Sequence, residues 1–445
     1  MHTTGDFFGD FFSEGILAEG DNFYIANHGN VQVEGEFSSA LVGVGNDGTV
    51  INFGVLDSLA LGSSVVFAFG DRSQAINARS AEVIVRGDET VALFALGEEA
   101  SALNLGQITV TGTAAAGIEG VIGNTNLTNK GVISITSDES VGIAGLGDGH
   151  QISNSGLIEM EGAFSRGIIS RGLNLEIDNA GHITTAGEFA FGITVGLTNT
   201  FRTSEDGQIV NSGVIETIGD GAAGVIMAGD GHRLTNSGLI TTDGGAFDSD
   251  TLNVVMSAAG LLVSGDDALV QNTRTGVIRS ENADSAAIEL NVLERDGLSN
   301  AATSATLENF GLIEGAAVAV LGGDGQETVI NHGRIVGDVD LGGGEDKFVF
   351  AKGGSVAGDV VLGTGNDLVV VENGSGTTEI ADFVVGAASD DVIDVSAFGF
   401  DSFADVVDAA QQNESDLVIR LDQNDQVVLS NVSLGDLHQD DFLLV

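Results

Sequence analysis

The sequence predicts an all-β fold: a right-handed parallel β-solenoid of three-sided coils about 25 residues long, followed by a small mixed C-terminal module. Three observations carry this. One asparagine recurs: Asn27, Asn52 and Asn77 are 25 apart, as are Asn104, Asn129, Asn154 and Asn179, and then Asn211 and Asn236. Most occupy one phrase (apolar, any, Asn, any, Gly, any, Ile or Val), as in ISNSGLI at 152–158, IVNSGVI at 209–215 and LTNSGLI at 234–240. The runs between them, such as HRLTN, LITT and AAGVIMA, are short and rich in β-branched residues, which suits strands rather than helices.

Each corner of the coil has its own signature. The anchor Asn marks the first. Eight residues later comes a glycine (Gly35, Gly112, Gly162, Gly187, Gly219, Gly244), expected where the backbone needs positive φ. Six residues before the anchor stands an acidic residue (Asp21, Asp71, Glu98, Asp148, Asp230, Asp266), a row that water or a cation would have to screen. Three corners and three strands make one coil. Stacked coils then place each anchor Asn about 4.8 Å above the last, close enough for side-chain amides to hydrogen-bond along the axis as a structural ladder. The right-handed sense follows from the crossover preference of parallel strands.

Composition agrees with this frame. The 445 residues include 66 Gly but no Pro, Cys or Trp. Absence of proline suits interior strands, each of which needs its N–H groups. Absence of cysteine excludes disulfides and thiolate metal sites among these residues. With 65 acidic against 15 basic residues and a net charge of −50, nucleic acid and anionic membranes are disfavoured as partners, and cations are favoured. No stretch has the length of a membrane span, and Met1–Gly20 has neither the basic nor the continuous apolar region of a cleavable signal peptide.

The interval widens to 32 between Asn179 and Asn211, 36 between Asn236 and Asn272, and 37 between Asn272 and Asn309. These insertions predict surface loops, either neutral or used for recognition. In the N-terminal segment, residues 1–20, Phe7, Phe8, Phe11 and Phe12 cluster at a spacing that would place them on one side of a helical turn. They are either a private cap over the first coil or an assembly plug that docks on another copy.

After residues 21–340, the proposed solenoid, the pattern changes to LGGGEDKFVF at 341–350 and LGTGNDLVVV at 362–371, within a glycine-rich region spanning 341–374. These segments resemble the calcium-binding nonapeptide of RTX proteins, although they are two copies 21 apart rather than a tandem array. The resemblance implies calcium as cofactor and Gly344, Asp346, Gly365 and Asp367 as candidate site positions; a structural glycine turn is the alternative.

Residues 375–445 are similar to the C-terminal module of RTX proteins exported by type I secretion. The quoted pieces come in order: a strand entering Asp382-Phe383, an acidic turn before Val392-Ile393-Asp394, an amphipathic helix with Phe403, Val406, Val407 and Ala410, a hairpin across Gln423 to Asp425, and an apolar end, Phe442 to Val445. The resemblance implies a secreted, extracellular or cell-surface protein with the type I machinery as an export partner. The repeats themselves resemble autotransporter-like passenger repeats.

No catalytic set emerges. His150 and His232 share one register position and His28 and His332 another, as corner residues would. Lysines and arginines look scattered, and no Ser-His-Asp order or metal-ligand histidine cluster appears. The expectation is a non-enzymatic structural protein that self-associates into a homo-oligomer, filament, surface layer or biofilm matrix and responds to calcium. The alternatives are a monomeric adhesin that binds glycan or a cell surface and, less favoured, a polysaccharide-degrading β-helix enzyme.

Overall fold

Alternating aliphatic residues place three columns of side chains inside every coil. Ile25, Val50, Ala75 and Ala102 come from the first strand of successive coils, Leu56, Val83, Ile108 and Ile133 from the second, and Leu41, Val66, Leu93 and Ile118 from the third; all are buried. We describe a computed structural model that covers the chain except residues 1, 4–7, 10–13, 197–203, 250–253, 292–302, 388–390 and 445. It is a parallel β-solenoid of about 14 turns counted over two compact units. One unit comprises residues 1–228 and 246–258, the other 229–245 and 259–445.

In the first unit a coil consists of three strands, for example Tyr24–Asn27, Asn30–Val33 and Ser39–Val44. Each pairs in parallel with its counterpart in the next coil, so Asn27 faces Asn52, Val31 faces Leu56 and Leu41 faces Val66. A slip of one residue would bring the polar alternates inward, which is why the register holds from coil to coil. Within the 246–258 segment, Phe247–Ser249 and Val254–Met256 form an antiparallel hairpin, the one described insertion with strands of its own.

The anchor asparagines form the predicted ladder. Nδ2 of Asn27, Asn52, Asn77, Asn104, Asn129, Asn154 and Asn179 each donates to Oδ1 of the next, ending on Asn211, at 2.8–3.1 Å. Oδ1 also accepts from the glycine N–H two residues on, as from Gly54 to Asn52 at 3.0 Å, and Nδ2 reaches a carbonyl of the next coil, as from Asn52 to Glu82 at 3.1 Å. In the second unit the ladder runs from Asn236 through Asn272 and Asn309 to Asn331. There Phe350 takes the register position of the next Asn, and Asn331 donates to the Ser355 carbonyl instead.

Two local expectations are corrected. The glycines of the second corner are not at positive φ. Positive φ falls two residues later, on Ala114 (51°) and Phe164 (55°). What excludes a side chain at Gly112 and Gly162 is space, because a Cβ there would lie 2.0 Å from the Gly87 carbonyl oxygen and 1.8 Å from that of Ser137. At the N-terminus, Phe8 does not sit in a helical turn: Phe8–Gly9 is a strand paired with Gln32–Val33, and His2–Thr3 and Glu14–Glu19 likewise stack on the coil that follows. Phe7, Phe11 and Phe12 lie outside the described residues.

The boundaries drawn at 340 and 374 do not separate compact units. Strands Lys347–Phe350, Leu368–Val371, Val392–Asp394 and Phe442–Leu443 continue the asparagine sheet in parallel. Beside them, Thr377–Ile380 joins a four-stranded mixed sheet with Gln426–Leu429, Asp416–Arg420 and Ala410–Asn413. The expected hairpin spans Gln423 to Asp425, and Asp425 fastens it by accepting from the N–H groups of Gly374 and Gly376 at 2.8 and 2.6 Å. The helix is Phe403–Ala409, with Val406 buried, and Ala410 already begins the next strand.

Asn154→Leu removes the acceptor for Asn129 and for the Gly156 N–H inside a closed corner. At about 1–3 kcal/mol for each buried group left short of a partner, the expected cost is about 3 kcal/mol. Urea unfolding with amide exchange read at residues 151–160 measures it, and a loss under about 0.5 kcal/mol would remove the ladder from the stability account.

Candidate functional site

The acidic corner is satisfied by backbone. Asp21 accepts from the Asn46 N–H at 2.9 Å, Asp71 from Glu98 at 3.1 Å, Asp148 from Leu173 at 3.0 Å and Asp230 from Asp266 at 2.9 Å. Each carboxylate thus binds the coil above it, and water on the exposed side disperses the charge. The histidines are corner residues too: His28 stacks on Phe53 at 4.8 Å and His332 on Phe310 at 4.7 Å. Buried His150 bonds Thr125 Oγ1 through Nδ1 at 2.5 Å.

The two RTX-like turns lie one above the other. Gly343–Gly344 pairs with Thr364–Gly365, so Gly344 faces Gly365, while Asp346 and Asp367 are both buried. Two acids unforeseen in the sequence extend the stack. The Glu327 N–H donates to Asp346 at 2.7 Å, the Asp346 N–H to Asp367 at 2.9 Å and the Asp367 N–H to Asp391 at 3.3 Å. Glu327 and Asp391 were hidden because they stand 19 residues before Asp346 and 24 after Asp367, off the 21-residue spacing of the turns.

Burial raises all four, Glu327 to about 7, Asp346 to about 8 and Asp367 to about 7, and neighbouring carboxylates add to the rise. Oε2 of Glu327 and Oδ2 of Asp346 and Asp367 are buried without a hydrogen-bond partner. Such oxygens have the hard-donor chemistry that calcium takes. Among the described residues, however, no three acidic or histidine side chains converge as an ion requires, so an ion at these turns would need backbone oxygens as well.

A second site lies on the outward face of the third-strand sheet. Between successive strands, Phe94 faces Glu119, Glu119 faces Ala144 and Ala144 faces Ile169. Arg166 and Arg171 flank Ile169 on one strand, Arg166–Arg171. Small Ala144 leaves a hollow between Glu119 on one side and the arginines on the other, a cavity of about 260 Å³ with Glu89 and Glu139 also in its lining. Two of the arginines that looked scattered are thereby brought together. Burial holds both guanidiniums below their usual pKa, each repels the other at Arg166, and burial raises Glu119. Arg166 donates to the Phe164 carbonyl at 3.4 Å and lies 5.8 Å from the Phe191 ring, but Nε of both arginines is buried without a partner.

Along the same face, Phe67 stacks on Phe94 at 5.2 Å and on Phe69 at 6.1 Å. Sequence reasoning missed this face because its outward residues change from coil to coil and leave no period to read. Among the described residues no helix is long and apolar enough to cross a membrane.

The acid stack sets a pH dependence. Its folded-state pKa values lie above the unfolded carboxylate range of about 4. The contribution is therefore fully present below about pH 4 and lost as pH rises through about 7–8. Without calcium, the melting temperature of the C-terminal coils falls between pH 5 and 9, and Asp346→Asn flattens that fall. Parallel slopes for the two proteins, read by thermal melting, would contradict the assignment.

Neither curated proteins nor solved structures match this chain. The family described as the BigA third pectate lyase-like domain matches residues 58–168, about a quarter of the 445, a stretch that holds the Phe67, Phe94 and Glu119 face and reaches into the strand of Arg166.

Proposed function

We propose that the protein is a secreted or surface-exposed β-solenoid that binds its target through the outward face of the third-strand sheet, as an adhesive scaffold rather than an enzyme. One observation carries this reading: half-buried charges that have no ion partner line a cavity, and the stacked pair Phe67 and Phe94 stands next to its Glu119 on the same face. Aromatic faces beside a few fixed polar groups are what glycan and other surface ligands use. The extracellular setting is supported by the match to a pectate lyase-like domain and by the RTX-like C-terminal pieces.

Binding of the labelled whole protein to intact bacterial cells and purified extracellular polysaccharide tests it. Saturable binding, weakened about tenfold or more by Phe67→Ala with Phe94→Ala, is expected, since a stacked ring contributes about 1 kcal/mol or more. Equal binding by the double variant would rule out this face, and release of new sugar reducing ends would favour the enzyme.

Calcium-responsive self-association into filaments, a surface layer or matrix is a second reading. It is favoured by the partnerless carboxylate oxygens at Asp346 and Asp367. Its assembly residues Phe7, Phe11 and Phe12 lie outside the described residues. Calcium then raises the melting temperature and the sedimenting mass together. Neither changing in millimolar calcium would end this reading.

A further inference from the structure

Cavities lined by opposite charges usually pair them. Here they are kept apart. Glu119 stands two coils from Ile169, about 9–10 Å between backbones, with Ala144 on the coil between, and Arg166 and Arg171 lie further along the strand of Ile169 on either side. Neither arginine has an ion partner, and no arginine acts on Glu119, whose raised pKa has burial as its cause. Desolvated charges that do not meet across so short a span are costly unless a third group joins them.

The lining decides what that group carries. Glu119, Glu89 and Glu139 oppose a simple anion, and two guanidiniums oppose a simple cation. A molecule with an anionic end and a cationic end set apart satisfies both walls. Arg166 and Arg171 stand on either side of Ile169 in one strand and both line the hollow, so a carboxylate entering it meets two guanidiniums. At about 260 Å³ the space accommodates one amino-acid-sized ligand.

We infer that the hollow over Ala144 binds a small zwitterion, its carboxylate held by Arg166 and Arg171 and its ammonium turned toward Glu119. This rests on the outward face being a recognition surface and names the chemistry of one position on it. The ligand's source, free amino acid or an amino and carboxyl group carried on a larger surface molecule, is left to the arms of the test.

The test is calorimetric titration of the whole protein with β-alanine, 4-aminobutanoate and 5-aminopentanoate, against butanoate and butylamine as single-charge controls. At least one zwitterion binds ten times or more tightly than either control. Arg171→Gln lowers zwitterion affinity at least tenfold, and Glu119→Gln removes the preference over butanoate. Ala144→Leu fills the floor and abolishes binding with every charge in place, which guards against misfolding of the charge variants; circular dichroism checks each.

Butanoate binding as tightly as the zwitterions, or no binding of any probe, overturns the inference. A protein that binds zwitterions but not cells or polysaccharide keeps this site and loses the adhesive reading. One that binds cells equally well as Ala144→Leu keeps the adhesive reading, with the ligand of this hollow coming from free amino acid rather than from the surface target.

Discussion

A side-chain amide buried at one corner of every coil sets the terms for the rest of this structure. The anchor asparagines are closed to solvent, and one inside the ladder, such as Asn129, is bonded above, below and to its own turn, so its cost of burial is met only when the neighbouring coil is present and in register. Glutamine would overreach the corner and leucine would orphan several groups at once. The aliphatic columns supply most of the burial, but they tolerate exchange among Ile, Leu and Val; the amide fixes which residue stands over which.

A chain with a net charge of −50 still stacks coil on coil because many carboxylates are used as backbone acceptors. At Asp21, Asp88 and Asp138 the oxygen takes the N–H of the coil that follows, so a charge that would repel its neighbour also binds it. The bond to Thr113 holds Asp88 below the usual carboxylate range. Where the same device is moved inside, at Asp346 and Asp367, water no longer disperses the charge and burial lifts the pKa values instead. Exposure alone separates a stabilising corner from a proton-holding one.

The fold was legible because its defining groups cannot be replaced. Asn27 through Asn236 repeat for a reason that acts at every coil, and the period and the three strands follow from reading it, whereas the turns around Asp346 and Asp367 were found where that pattern changes, by their resemblance to the RTX nonapeptide. Gly112 and Gly162 were found but for the wrong cause, since sequence shows that a side chain is excluded without showing whether backbone angle or a carbonyl oxygen excludes it. Glu119, Arg166 and Arg171 were invisible. Their proximity comes from two turns of winding, and each occurs once on a face whose outward residues bear no common constraint.

The amide ladder also has a direction. Nδ2 of each anchor from Asn27 to Asn179 and from Asn236 to Asn309 donates toward the coil that follows in sequence, while Oδ1 of Asn27, Asn52, Asn104, Asn129, Asn154 and Asn309 is already engaged by the glycine N–H two residues on. A face open on the N-terminal side therefore leaves a carbonyl short of one of two bonds, a mild deficit. A face open on the C-terminal side strands a buried donor, which proteins rarely tolerate. Asn331 meets that demand through the Ser355 carbonyl, with Phe350 sealing the position above it. The two ends of such a stack are thus chemically unequal: growth can pause on the acceptor side, but termination on the donor side requires a different kind of coil.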